Sequence, residues 1–476
     1  MMQETQSPAT VSQCYISQLP TELLVHILEI AHTEIESGEQ EEGDETDATR
    51  DVNEHVQDAD SPGIGASSAQ RQFIEMDASH VCRYWRNVVL QSPVLWTILR
   101  IDLRSKDHCP VHHDRPPFYR VQAYARRSQS LPLEIHIQHD WDGPLSIRDF
   151  KDLLDILFLH INRWTLLSFT SCDFDFRWEI FDRLSDPSLA SASQLKSLRI
   201  LEPNNVADDD HASLDWEDSP STLVAPQLNL MELHSLPPSW WQPIAARSPL
   251  TLLSLDCTVG DNMSVSFLVV ADALRSCPAL VHLSIRDVWY PFGAIWRGDS
   301  PPTRDALTLP SLTTLTLTGL GVSAFDVSWF LHQLFAPNLT KLVLRRAYFT
   351  FPFTTSKTAM NLIHGLKELH LLRPGSFPIH PTYLIYQLKQ LVTLHIDADK
   401  ATPSWLKYLH PLYSEEDTGD LDQTQVFATP LPSLRTLEVT AKLLPDPAAA
   451  LVEVQALRNA AGYPLRLVIH DTEEWW

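Results

Sequence analysis

The spacing of apolar residues along this chain changes several times, and each change marks a new element. Residues 1–15 show no period and read as a flexible tail. From Ile16 the spacing of Leu23, Leu24, Ile27 and Leu28 is helical, and Pro20 suits a first turn, so a helix is predicted to about His32. The period then disappears until Phe73. There Ile74, Ala78, Val81, Cys82 and Trp85 return at steps of three and four, with Val88 and Val89 extending the stripe. Ser92-Pro93 stops this helix, and Val94-Leu95-Trp96 opens a short element. Residues 98–103 read as a strand, 118–128 as a helix, and Leu133, Ile135 and Ile137 alternate as a half-buried strand does.

From Trp164 onward one unit repeats: an apolar residue, two positions, an apolar residue, one position, an apolar residue. It begins as Trp164–Leu167–Phe169, Leu195–Leu198–Ile200, Leu228–Met231–Leu233 and Leu250–Leu253–Leu255. It continues as Leu280–Leu283–Ile285, Leu312–Leu315–Leu317, Leu339–Leu342–Leu344, Leu366–Leu369–Leu371, Leu391–Leu394–Ile396 and Leu434–Leu437–Val439. The ten copies start 22 to 43 residues apart. Six carry a proline one or two places ahead (226, 249, 278, 310, 337 and 432), which predicts prolines opening each strand. Helical patterns lie between copies at 267–275, 327–335 and 382–388. Strand, turn, helix and return at this period is the signature of a leucine-rich-repeat solenoid, in which no unit buries its apolar row without its neighbours. The array is degenerate, because the turn position after the last apolar residue varies (Pro203, Leu320) and the spacing drifts. Acidic stretches at 208–218 and 414–422 read as surface loops, and a helix over 448–459 with a strand over 465–469 is expected to cap the open end.

Charge adds one feature and removes several functions. The net charge of −24 opposes binding to nucleic acid and to anionic membrane surfaces. Between Glu34 and Gln70 stand twelve acids and one base, so residues 34–70 read as an acidic disordered insertion. The six cysteines form no CxxC pair and no disulfide framework, which favours a reducing compartment. No secretory signal and no apolar run of about 18 residues is present, so a cytoplasmic or nuclear protein is expected.

The ordered motifs Leu19-Pro20-x-Glu22-Leu23-Leu24-x-x-Ile27-Leu28, Val81-Cys82-Arg83-Tyr84-Trp85-Arg86 and Ser92-Pro93-Val94-Leu95-Trp96 resemble an F-box of the kind found in mushroom-forming fungi. Leu131-Pro132-Leu133-Glu134-Ile135 and Ile161-Asn162-Arg163-Trp164 look like the same family. The resemblance departs at the acidic insertion, which interrupts the module between its first and second helices. It implies an F-box-like helical module at 16–97, followed by a degenerate solenoid at 98–476 with a parallel concave sheet. It also implies docking on a Skp-type adaptor of a cullin–RING ubiquitin ligase, while the repeats hold an unknown protein substrate. Carried over by position, the docking residues are Leu19, Pro20, Leu23, Leu24, Ile27, Leu28, Val81, Trp85, Leu95 and Trp96. An apolar hairpin too small for its own core fits such a role, although the same residues would also pack on the first repeats. The alternative function is a repeat scaffold that binds protein without a ubiquitin ligase role.

Nothing in the pattern points to catalysis, a metal or a cofactor, and the chain is read as no enzyme. Asp107-His108-Cys109 with His112-His113-Asp114 lacks the second cysteine of a zinc site and reads as a polar loop. Gly63-Ile-Gly65 lacks the third glycine of a dinucleotide fingerprint, and no phosphate loop or nucleophile elbow occurs. Recognition then falls to the position between the last two apolar residues of each copy, which points away from the core. These are Ser168, Arg199, Glu232, Ser254, Ser284, Thr316, Val343, His370, His395 and Glu438. Arg199, Glu232, Thr316, His370, His395 and Glu438, with neighbouring Arg286 and Arg345, are the substrate-binding candidates. Arg286, Arg345, Arg346 and Arg373 are read as a possible basic spot for an acidic or phosphorylated target.

Overall fold

The structure is a computed structural model. It describes residues 19–28, 30, 74–103, 118–139, 145–171, 173–186, 188, 191–202, 222–236, 238–257, 267–286, 307–319, 325–326, 328–348, 362–372, 387–397, 409, 431–440 and 445–470. The tail 1–15, the insertion 34–70, the His/Cys cluster at 107–114, both later acidic loops, Arg373 and nearly all of the expected helix 382–388 lie outside them. The chain divides into two compact units, Met1–Trp164 and Thr165–Trp476. The helical module thus shares its unit with the elements that follow it, up to Trp164.

In the first unit α1 covers residues 21–28, α2 Ile74–Val81 and α3 Arg83–Gln91, followed by a 3₁₀ turn at Pro93–Trp96. Strand β1 (Ile98–Asp102) pairs in parallel with β2 (Leu133–His139), and α4 (Phe118–Arg127) connects them. Helix α5 (Ile147–Phe158) starts at Ser146, whose Oγ accepts the Asp149 N–H at 3.2 Å. Arg163 fixes the far side of this unit. Its Nε donates to the Leu131 carbonyl at 2.9 Å, and its two terminal nitrogens reach the Ala125 carbonyl and the Ser128 Oγ. One guanidinium therefore satisfies the C-terminus of α4 and the turn into β2, which gives the Leu131–Ile135 and Ile161–Trp164 motifs a structural purpose.

In the second unit eleven parallel strands run side by side in chain order. They are β3 (Trp164–Ser171), β4 (Ser197–Leu201), β5 (Leu230–His234), β6 (Leu252–Asp256), β7 (His282–Arg286) and β8 (Thr314–Thr318), then β9 (Lys341–Arg345), β10 (Glu368–Leu372), β11 (Thr393–Asp397), β12 (Thr436–Thr440) and β13 (Arg466–His470). The fold is the α/β repeat solenoid predicted from the pattern. Its apolar rows are in register: Leu167, Leu198, Met231, Leu253, Leu283, Leu315, Leu342, Leu369, Leu394 and Leu437 form one buried ladder, and Phe169 through Val439 a second.

In nine of the ten copies, all but the one at Trp164, the first apolar residue lies outside the strand, and in eight of them its N–H closes a turn. The N–H of Leu228, Leu280, Leu312, Leu339 and Leu434 each bonds the carbonyl three residues back, on Ala225, Cys277, Leu309, Ala336 and Leu431. Pro226, Pro278, Pro310, Pro337 and Pro432 fall at the second position of these turns, where a fixed φ is already correct. The expectation that prolines open the strands is corrected to this: five of the six preset the turn ahead of their strand. A second recurring bond sets the register. The carbonyls of Val281, Thr313, Thr340 and Lys367 each accept two successive N–H groups from the next repeat.

Helices α6 (Phe174–Leu184), α7 (Pro238–Ala246), α8 (Phe267–Leu274), α9 (Ser328–Gln333) and α10 (Pro445–Ala460) return the chain between strands. Two buried guanidiniums have named partners. Arg177 on α6 pairs with Glu202, which also accepts from Ser235 Oγ at 2.7 Å. Arg458 of α10, fully buried, donates to the carbonyls of Leu431 at 2.8 Å and Leu409 at 3.4 Å. The expected terminal helix and strand are both present, with α10 packed on β13. β13 joins as one more parallel strand, and among the described residues nothing pairs with its far side.

Candidate functional site

Each unit presents one surface of interest, and the first is the N-terminal hairpin. Tyr84 on α3 donates its hydroxyl to the Leu19 carbonyl at 2.7 Å, which holds the start of α1 although 65 residues separate the two in sequence. Trp96 is 1% exposed. Its indole N–H donates to the Val89 carbonyl at 2.8 Å, its ring meets Tyr124 edge-on at 5.0 Å, and the Arg127 guanidinium lies 4.3 Å over it.

These contacts divide the ten candidate docking residues. Leu24, Leu28, Leu95 and Trp96 are buried and form the module's own core. They are corrected from docking to packing residues, since a partner reaches them only by opening the hairpin. Leu19 and Trp85 are half-buried, and Pro20 is exposed. Leu23 is 51% exposed, Ile27 48% and Val81 57%. Ile30, not among the ten, is helical too and shares the exposure, and the steps Leu23, Ile27 and Ile30 keep one helical face. Leu90 and Val94 add exposed apolar surface on α3 and the turn after it. Ile30 and Leu90 were readable from the same helical spacing; the sequence lacks only the sign that says which side is covered.

The second surface is the face of the solenoid sheet turned away from its core. All ten predicted positions stand in one row, strand by strand: Ser168, Arg199, Glu232, Ser254, Ser284, Thr316, Val343, His370, His395 and Glu438. Every one is half-buried. Charge along the row is compensated locally. Arg199 Nε lies 3.6 Å from Glu232 Oε2, and Lys341 Nζ 3.2 Å from Glu368 Oε2. Arg286 Nε stands 3.5 Å from Asp256 Oδ2 on the neighbouring strand. Arg345 is two strands further along, with Thr318 between them. Of the four arginines read as a basic spot, Arg286 faces a carboxylate, Arg346 has φ 51° and a backbone bond to the Leu372 carbonyl, and Arg373 lies outside the described residues.

The far end of the face carries imidazoles instead. His370 and His395 meet edge-to-face at 5.3 Å, and His470 lies 6.2 Å from His395. His395 Nε2 is 3.0 Å from Thr440 Oγ1 and its Nδ1 3.9 Å from Glu438 Oε2; His370 Nε2 is 3.7 Å from Glu368, too long for a hydrogen bond. Burial, and then Lys341, hold the His370 imidazole below its ordinary value against Glu368 and Glu438. Burial, and then His370, do the same for His395, with Glu438 opposing. Asp256, Glu368, Thr440 and His470 belong to outward positions flanking the central row, so the same alternation that gave the row contained them.

No group of three His, Cys, Asp or Glu side chains among the described residues is arranged to hold a metal ion. None of the described helices is long and apolar enough to cross a membrane.

No protein-family model and no curated protein matches the chain. Among solved structures, the chain is similar to the crystal structure of the yeast Rad7 and Elc1 complex, with 12% identity, a TM-score of 0.35, and coverage of 73% of this chain and 72% of that one. It is also similar to the leucine-rich-repeat-containing protein LegL7 of Legionella pneumophila, with 13% identity, a TM-score of 0.31, and coverage of 76% and 98%.

Proposed function

We propose that this chain is a substrate-recognition adaptor of a ubiquitin ligase of the Skp–cullin–RING type. The N-terminal hairpin docks on the Skp-type adaptor and the outward face of the solenoid sheet holds a protein substrate. The chain itself supplies no catalytic residue and no cofactor. It raises the concentration of substrate beside a ubiquitin-loaded enzyme carried elsewhere in the assembly.

The observation that carries this reading is the face of α1. Leu23, Ile27 and Ile30 stay exposed, while Leu24 and Leu28 on the same helix are buried. An apolar helical face left uncovered, with its opposite side already anchored, fits a helix that packs into a partner's groove. The compensated mixture of serine, threonine, histidine and paired ions on the sheet suits a protein surface better than a polyanion.

The test is co-purification of the full chain with a Skp-type adaptor, followed by mass spectrometry, for the parent and for the double variant Leu23→Asp with Ile27→Asp. Adaptor and cullin should accompany the parent and leave the variant. If the parent chain, soluble and folded, fails to capture the adaptor, the ligase role is lost. Partners that stay on both chains would leave a protein-binding scaffold in its place.

A further inference from the structure

The last strand of the solenoid carries a surface of its own. In the preceding strand, β12, the two inward residues Leu437 and Val439 are buried, as in the ten repeats. On β13 the corresponding residues are Leu467, half-buried, and Ile469, 42% exposed. Helix α10 packs against β13 and Leu465 is buried, so the chain reaches the strand well anchored. Among the described residues no further strand covers this edge of the apolar layer.

Among the described residues the backbone at that edge has no strand partner either. The Arg466 N–H bonds the Arg435 carbonyl at 2.8 Å, and Arg466 is in register with Thr436. Arg466, Val468 and His470 therefore direct their N–H and C=O groups toward β12. By the alternation of a strand, Leu467 and Ile469 direct theirs the other way, which leaves four groups for a new neighbour. An edge of this kind is a template for strand addition.

Charge selects the occupant. In a chain of net −24 this strand contains no acid, and Arg466 and His470 stand at its two ends on the outward face. Arg435 is exposed at the adjoining turn. A second copy of the chain is a poor neighbour: antiparallel pairing about Val468 sets Arg466 against His470, and parallel pairing sets Arg466 against Arg466. Within residues 466–470 neither register sets a carboxylate opposite Arg466: the parallel one opposes two like charges, which is destabilising, and the antiparallel one offers Arg466 an imidazole in place of a counter-ion.

We propose that β13 is a strand-addition site for an extended segment of a partner protein with the pattern acid–apolar–any–apolar–acid. The two apolar residues continue the inward layer beyond Leu467 and Ile469. The two acids face Arg466 and His470. The pattern reads the same in both directions, so it is met in either strand orientation.

The test uses the full chain and a fluorescein-labelled, end-capped peptide Gly-Ser-Glu-Leu-Thr-Leu-Glu-Ser-Gly, with binding read by anisotropy. The parent should bind it, more weakly as salt rises, and should bind the peptide with both Glu replaced by Lys at least tenfold more weakly. Arg466→Glu, on an exposed side chain, should lose at least tenfold. Ile469→Pro removes an edge donor while sparing every bond to β12, and should abolish binding. Equal binding of the Lys peptide, or unchanged binding by Arg466→Glu, overturns the proposal. So does a concentration-dependent dimer in sedimentation that vanishes in Ile469→Pro, which would assign the edge to a second copy. Replacement of residues 473–476, Glu-Glu-Trp-Trp, by serines provides the last arm. Peptide binding that appears only in that chain assigns the edge to residues 473–476 of the same chain and overturns the partner.

Discussion

Leu23 and Leu24 are neighbours in sequence with opposite duties, and one pair of substitutions separates them. Leu24 is 0% exposed, so Leu24→Ala removes buried methyl groups and leaves a cavity, at a cost of about 2–5 kcal/mol of stability in the first unit. Leu23 keeps about half of its surface in water, so Leu23→Ala should change stability by less than about 0.5 kcal/mol. Its contribution is expected on docking instead. Full burial of a leucine or isoleucine is worth about 1.5–3 kcal/mol, so covering the exposed half is worth about 1 kcal/mol. Leu23 and Ile27 together then give about 2 kcal/mol, or roughly thirtyfold in Kd. The assay is calorimetric titration of the Skp-type adaptor into each variant, alongside thermal melting of the same samples. Leu23→Ala with Ile27→Ala should bind about thirtyfold more weakly with an unchanged melting temperature. Leu24→Ala should melt lower and, at a temperature where it is folded, bind like the parent. A folded Leu24→Ala that loses more affinity than the Leu23/Ile27 pair would refute the division of α1 into a buried and a docking face.

In the solenoid, Leu315→Ala removes a fully buried rung of the inner ladder and should cost about 2–5 kcal/mol in urea denaturation, whereas Thr316→Ala beside it should stay within about 0.5 kcal/mol. Arg163→Met leaves the Leu131 and Ala125 carbonyls without their donor and should destabilise the first unit by about 2–4 kcal/mol; Arg163→Lys should recover only part of that, because an ammonium cannot span three acceptors at once. Because their folded-state pKa values lie below the ordinary value of about 6.5, His370 and His395 are neutral in both states above it and add nothing there. As pH falls below about 6.5 the unfolded chain takes up protons first, so the second unit should lose stability, with the loss levelling once the folded pKa values are passed. Denaturation midpoints from pH 7.5 to 5 should show that fall, and His370→Gln with His395→Gln should flatten it; a parent curve flat over this range would contradict the assigned direction.

The sequence alone determined the repeat. Ten copies of one apolar spacing can be buried together in only one way, by stacking strands in register, and the outward row from Ser168 to Glu438 follows from the two-residue alternation of a strand. The hairpin was legible as helices for the same reason. Which faces are covered was a tertiary decision. A stripe wide enough to include Leu23, Leu24, Ile27 and Leu28 contains both a core side and a free side, and only the folded unit settles that Leu24 and Leu28 go inward. The prolines were visible, but their place in the preceding turn depends on a backbone bond that no side-chain pattern encodes. Arg286 and Arg345 looked like one basic spot because they are similar in type; the register put Asp256 beside one and a strand between them. The edge at β13 is likewise absent from the pattern, since Leu467 and Ile469 carry the same apolar signal as Leu437 and Val439. Burial belongs to the neighbour that follows, and a one-dimensional pattern states what a residue prefers without stating whether that neighbour is there.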